Sequence, residues 1–153
     1  MKNYLRAVSL SAGISVVLIF GSVNALFMTP NTEWYATLIK PSINENLHSF
    51  LWLVCYLLFS VIIGEFIIVK NLRKRIWSVA TILIANSLWC YVFFQMQNAI
   101  VALVILIIVL SDMLYIMYLA IKHTHYLCFF VLPVVIWYII LIGMNIMIII
   151  LNQ

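Results

Sequence analysis

Residues 99–121 read AIVALVILIIVLSDMLYIMYLAI, an unbroken apolar run with Asp112 as its single charged side chain. About 20 such residues in an α-helix cross the hydrocarbon core of a bilayer. The run does not alternate apolar with polar, as a barrel strand would. Working outward, segments 6–28, 50–69, 76–95, 99–121 and 127–150 each fit one helical span. Little chain is left between them. The sequence therefore predicts an all-α membrane protein, one domain over residues 1–153 built as a bundle of five transmembrane helices.

Composition agrees. Of the 153 residues 67% are hydrophobic and 8% charged, against roughly 25% charged in soluble domains. The net charge of +4 sits in short segments without basic-aromatic arrays, which points to membrane lipid headgroups as partners and not to nucleic acid. Cys55, Cys90 and Cys128 lie inside apolar runs at spacings that match no metal or disulfide framework, so they read as small buried hydrophobes. Lys2 and Arg6 before an apolar run imitate a signal peptide, with Val23-Asn24-Ala25 as a weak cleavage-like site. The run is too long for a signal core of about 7–15 residues and reads as a retained first span.

The loops give an orientation. Lys2, Arg6, Lys70, Arg73, Lys74, Arg75 and Lys122 fall on one side of a five-span chain, and Lys40 alone on the other. Basic residues stay inside, so the N-terminus is expected in the cytoplasm, with the long loop between spans one and two on the opposite side. The loop Gln95-Met96-Gln97-Asn98 is so short that spans three and four must be antiparallel neighbours.

Polar and aromatic residues inside the spans fall on shared faces. In the third span Asn86, Trp89 and Phe93 follow at helical spacing. In the fifth, Asn145 lies seven and eight residues after Tyr138 and Trp137, and the second presents Trp52, Tyr56 and Ser60 at i, i+4 and i+8. Two readings stand side by side: Asn residues that tie helices together by hydrogen bonds, or the walls of a pocket for a flat apolar ligand. Trp77 and Tyr126 read as interfacial belt residues. Glu65 lies where headgroups or nearby basic side chains are in reach. Asp112, near mid-membrane, costs about 2.5–3.5 kcal/mol on insertion scales; it is paired in the bundle, protonated, or part of a pathway. His48 reads as a solvated loop residue or as one near a ligand edge, and His123 and His125 as loop residues; no metal site is expected. Pro133 is expected to kink or open the fifth helix. No phosphate loop, H-E-x-x-H or G-x-S-x-G occurs, and four acids leave little for acid–base catalysis.

The first loop holds Trp34-Tyr35-Ala36-Thr37-Leu38-Ile39-Lys40-Pro41. A plain linker needs neither aromatics nor Lys-Pro, so the stretch reads as part of a binding site. Here the chain resembles the tryptophan-rich sensory protein/translocator protein (TspO) family, whose first-loop pattern W-Y-x-x-L-x-K-P is complete in Trp34, Tyr35, Leu38, Lys40 and Pro41. The family's W-x-x-x-Y matches Trp52 and Tyr56, and its N-x-x-W with a Phe pair matches Asn86, Trp89, Phe93 and Phe94. Its late pattern of Pro, Trp and two L-N pairs matches Pro133, Trp137, Asn145 and Leu151-Asn152, with Met144 for the first Leu. The first span carries none of the resemblance. The segment Ser42-Ile43-Asn44-Glu45-Asn46 lacks the family's Pro-Pro, so a looser loop is expected. Ser60 stands for a Gly, Ile82 for a Gln, Cys90 for a Ser and Ile149 for a Trp, and the cholesterol consensus of animal members is missing.

The resemblance implies a five-helix bundle, commonly a homodimer, multi-pass in a bacterial cell membrane. It implies a pocket for porphyrins, protoporphyrin IX or haem, as ligand and not as required cofactor, and a role in tetrapyrrole sensing, transport or regulation. Ligand contacts are expected from Trp34, Tyr35, Trp52, Tyr56, Asn86, Trp89, Trp137 and Asn145, beneath a lid of Leu38, Lys40 and Pro41. The alternatives are a light- or oxygen-dependent porphyrin-degrading enzyme, with Trp52 and Trp137 as candidate electron donors and no catalytic residue otherwise assigned, or a lipid- or sterol-binding transport bundle. Thr81 and Ala85, one turn apart, suit a close contact between helices, either within the bundle or across a dimer.

Overall fold

The computed structural model describes residues 2–28, 32–41 and 45–152. Among them there is no strand, and five helices are long and apolar enough to cross a membrane. The spans are α1 (Lys2–Met28), α3 (Glu45–Ile68), α5 (Ile76–Cys90, continued by a π-helical turn Tyr91–Gln95), α6 (Ala99–His123) and α7 (Cys128–Leu151). Two short helices, α2 (Thr32–Thr37) and α4 (Lys70–Arg73), occupy segments expected to be loops. The helix α3 begins five residues before the expected position 50, so the first connection is five residues shorter than the sequence suggested. The Pro-poor residues 42–44 lie outside the described residues.

Side chains close two of the helix ends. The Asn98 carboxamide oxygen accepts the Val101 N–H at 3.0 Å and caps α6. Arg73 Nε donates to the Ile67 carbonyl at 2.7 Å and Nη2 to that of Ile68 at 3.3 Å, placing a cation at the negative end of α3. Gln97, at φ 52°, makes the tight turn between the third and fourth spans in the left-handed region.

The order around the bundle is α1, α3, α7, α6, α5 and back to α1. The α1–α3 pair is the most intimate. A Cβ on Gly13 would lie 2.3 Å from the Ser60 carbonyl oxygen, and one on Gly64 would lie 3.4 Å from that of Ser9. Small residues let two backbones meet where lipid supplies no hydrophobic drive for association. Outward faces are mostly apolar, with Leu18, Leu53, Ile84, Ile107, Phe129 and Ile139 exposed, and the exposed hydroxyls of Ser11, Ser15, Ser22, Thr81 and Ser111 donate to carbonyls of their own helices, as a lipid-facing surface requires. Trp77 is exposed beside Arg75, while Tyr126, expected in the belt, donates its hydroxyl to the Glu65 carboxylate. Cys55 and Cys90 are buried and Cys128 is partly buried. Pro133 sits inside α7, which is helical on both sides of it.

Packing differs between the two ends. Ile62, Phe66, Leu72, Ile82, Val109, Met113, Ile116, Leu127 and Val131 are essentially inaccessible. They come from late α3, α4, early α5, the middle and late α6, the turn at His125–Leu127 and early α7, and fill the end that carries the basic loops. The other end, below α2, is hollow.

Candidate functional site

The hollow end holds a cavity of about 280 Å³, just under the range of about 300–1,000 Å³ usual for small-molecule pockets. One wall is an aromatic ladder. Trp52 of α3 stacks on Trp89 of α5 (centroids 6.1 Å apart, 27° between planes), and Trp89 stacks on Phe93 (5.6 Å, 23°). The π-helical turn contributes to this wall. Met96 N–H bonds the Tyr91 carbonyl five residues back at 3.2 Å, and Phe93 and Phe94 are both buried within the turn. Such turns recur at functional sites.

The lid comes from α2 and the residues after it. Trp34 sets its edge on Phe93 at 5.5 Å, and Tyr35 packs on Phe93 and Phe94 at 6.2 and 5.6 Å. Lys40 folds back over Tyr35, with Nζ 3.7 Å from the ring centroid and 3.4 Å from the Tyr35 carbonyl oxygen. Leu38 packs partly buried against the core, and Pro41 ends the segment partly buried. The lid is then fastened to the last turn of α7. Asn152 Oδ1 accepts the Ile39 N–H at 2.9 Å, and Asn152 Nδ2 donates to the Ile39 carbonyl at 2.8 Å. This pair imitates one rung of a β-ladder.

The expected site residues divide into three groups. Tyr35, Trp52, Tyr56, Trp89 and Asn145 line the cavity. Asn86 and Trp137 line a separate inner void of about 20 Å³, which shares Trp52 and Tyr56 with the larger one. There the Tyr138 hydroxyl donates to Asn86 Oδ1 at 3.1 Å, so Asn86 does tie α5 to α7. Trp137 still touches the site indirectly, edge-on to Trp52 at 5.8 Å. Trp34, Leu38, Lys40 and Pro41 lie above the cavity without lining it.

Several contributors were not foreseen. The first span supplies Gly21, Asn24, Ala25 and Met28 to the wall. Asn24 is buried, and its Nδ2 donates to the Tyr56 hydroxyl oxygen at 3.2 Å. Its signal was present in the sequence: an amide in an apolar span, the same feature that marked Asn86 and Asn145. Read as part of a cleavage-like tripeptide, it lost that meaning. His48 is not a solvated loop residue. It lies in the first turn of α3, lines the cavity, and packs on Trp137 at 5.4 Å and Trp52 at 6.4 Å. Gln95 Nε2 donates to the Phe27 carbonyl at 2.7 Å, capping the end of α1 from the neighbouring helix.

The cavity walls are apolar and aromatic apart from amides, hydroxyls, the Cys90 thiol and the His48 imidazole. Such a surface stacks a flat ring system and orients it by a few hydrogen bonds. It offers no cluster of acids and bases for hydrolysis. No individual curated protein matches the chain significantly. A family model described as the TspO/MBR family matches residues 13–151. That match runs through all five spans and the lid, so the chain belongs to the TspO/MBR family.

Proposed function

We propose that this integral membrane protein binds flat, largely apolar ligands of the porphyrin class, protoporphyrin IX or haem, and acts in tetrapyrrole sensing, transport or regulation in a bacterial cell membrane. The observation that carries the reading is the Trp52–Trp89–Phe93 ladder along one cavity wall. Stacked indole and phenyl faces favour a planar π-system over a branched or flexible ligand. Family membership supports the same reading. A tetrapyrrole macrocycle is larger than the cavity, so its binding requires the Trp34–Pro41 lid to lift. The lid faces the side opposite the basic loops, with the N-terminus in the cytoplasm. A homodimer belongs to the proposal too: Thr81 is exposed and Ala85 partly buried on α5, so at least Thr81 is open to a second copy.

The test is titration of the detergent-solubilised protein with protoporphyrin IX, read by quenching of Trp fluorescence. Saturable quenching is expected, and it should weaken markedly in Trp89→Leu, which removes the middle rung. Quenching no stronger than in an unrelated Trp-rich membrane protein refutes the proposal.

A further inference from the structure

We propose that the groove between α1 and α3 holds the alkyl tail of a ligand whose flat head occupies the cavity. The protein then takes tetrapyrroles that carry a long alkyl or prenyl chain as well as those that carry none. This rests on the porphyrin-binding reading and extends its ligand class.

The helices α1 and α3 meet at Gly13 and Ser60. Toward the lid from that contact a groove of about 320 Å³ lies between them, beside the cavity of about 280 Å³. Leu18, Leu53 and Leu57 line it and are exposed, so it opens on the lipid-facing surface. Gly21, Ala25 and Tyr56 line both the groove and the cavity. The two spaces are therefore separated by little more than one side chain. That side chain is Tyr56: a Cβ on Gly21 would lie 3.8 and 3.9 Å from its Cε2 and Cζ. The ring is held there by the bond from Asn24 Nδ2 to its hydroxyl oxygen at 3.2 Å. Glycine at position 21 keeps the boundary low, and a large side chain there would wall the groove off.

The two spaces suit different parts of one molecule. The cavity offers the Trp52–Trp89–Phe93 ladder and the amides of Asn24 and Asn145. In the groove the polar groups are already engaged. Ser22 Oγ donates to the Leu18 carbonyl at 2.9 Å, Ser60 Oγ donates to the Leu57 carbonyl at 2.7 Å, and the Tyr56 hydroxyl accepts from Asn24. Hydrocarbon fits such walls, and a polar group would gain nothing there. Free lipid chains reach the same groove from the bilayer. A chain tethered to a head in the cavity arrives at a far higher effective concentration and displaces them.

The experiment compares two esters with one head, the monomethyl and monohexadecyl esters of protoporphyrin IX, by quenching of Trp fluorescence in nanodiscs of one lipid composition. Ser22→Phe puts bulk into the groove from an exposed position that does not line the cavity, and Leu57→Phe does so from the opposite wall. Ile19→Phe puts the same bulk on the lipid face of α1 outside the groove. Each ester is compared across proteins, so its partition into lipid cancels. The hexadecyl ester should bind wild type and Ile19→Phe about three- to tenfold more tightly than either groove variant. The factor is modest because lipid already solvates the chain and only packing contacts are gained. The methyl ester should bind all four proteins alike. Equal binding of the hexadecyl ester by wild type and both groove variants overturns the proposal. So does a loss shared by the methyl ester or by Ile19→Phe, and so does a dimer that Ser22→Phe dissociates without changing hexadecyl affinity, since a second copy then fills the groove. If the methyl ester does not quench wild type, the cavity reading fails and takes this one with it; if it does, failure of the groove variants to discriminate refutes the tail site alone.

Discussion

Replacing Asn152 by Ala removes both hydrogen bonds that hold Ile39 to the end of α7. All three groups are near the surface, so water replaces the lost partners and no buried orphan is left. Net values for such bonds are about 0.5–1.5 kcal/mol each. Taking the lower half of that range, the pair contributes about 1–2 kcal/mol to keeping the lid shut, which changes an opening equilibrium about 5–30-fold. The contact of Lys40 with Tyr35, at about 0.5–1 kcal/mol for an exposed cation–π pair, still holds the lid together in the variant. A ligand that binds only the lifted form has its affinity reduced by the small fraction of molecules in that form. Asn152→Ala should therefore bind protoporphyrin IX about 5–30-fold more tightly in the quenching titration. A bicyclic probe small enough for the closed cavity should be unaffected. If the variant binds porphyrin more weakly, or shifts both ligands alike, the clasp does not govern access and the lid reasoning is wrong.

Other outcomes follow from the packing. Gly13→Ala should lower the thermal midpoint, because its Cβ would lie 2.3 Å from the Ser60 carbonyl oxygen and overpacking costs about 1–3 kcal/mol. Gly143→Ala, with nothing within 4 Å of the added carbon, should be neutral or stabilise by up to about 1 kcal/mol; a thermal-shift assay that ranks the two the other way refutes the α1–α3 contact. Tyr138→Phe leaves Asn86 Oδ1 without its donor and should cost about 1–3 kcal/mol of stability while porphyrin affinity stays unchanged, since both groups lie off the main cavity. Illuminated protoporphyrin should bleach at the same rate in wild type and in Trp137→Phe, because Trp137 does not line the larger cavity; a Soret band that persists only in the variant would establish indole-dependent photochemistry.

The five spans could be read directly, because each satisfies its backbone within one contiguous apolar segment and needs no partner to be recognised. The aromatic register of α3 and α5 was equally plain. Trp52, Tyr56, Trp89 and Phe93 meet around one cavity as their helical spacing requires. The π-helical turn was not legible, since nothing in Tyr91–Gln95 marks one added residue per turn. Nor was the division of labour among the amides. Asn24, Asn86 and Asn145 look alike in sequence. Only their neighbours make the first a partner of Tyr56, the second a partner of Tyr138, and leave the third unpaired.

Membrane insertion, the number of the spans, and the family are properties of local composition and motif order, and for these the chain alone is sufficient. Which end of the bundle is solid, which is hollow, and what fastens the lid depend on residues far apart in the chain, such as Ile39 and Asn152. Hydropathy is a sum over neighbours in sequence. A hydrogen bond between two surface turns belongs to the packing of whole helices, and only the tertiary structure decides it.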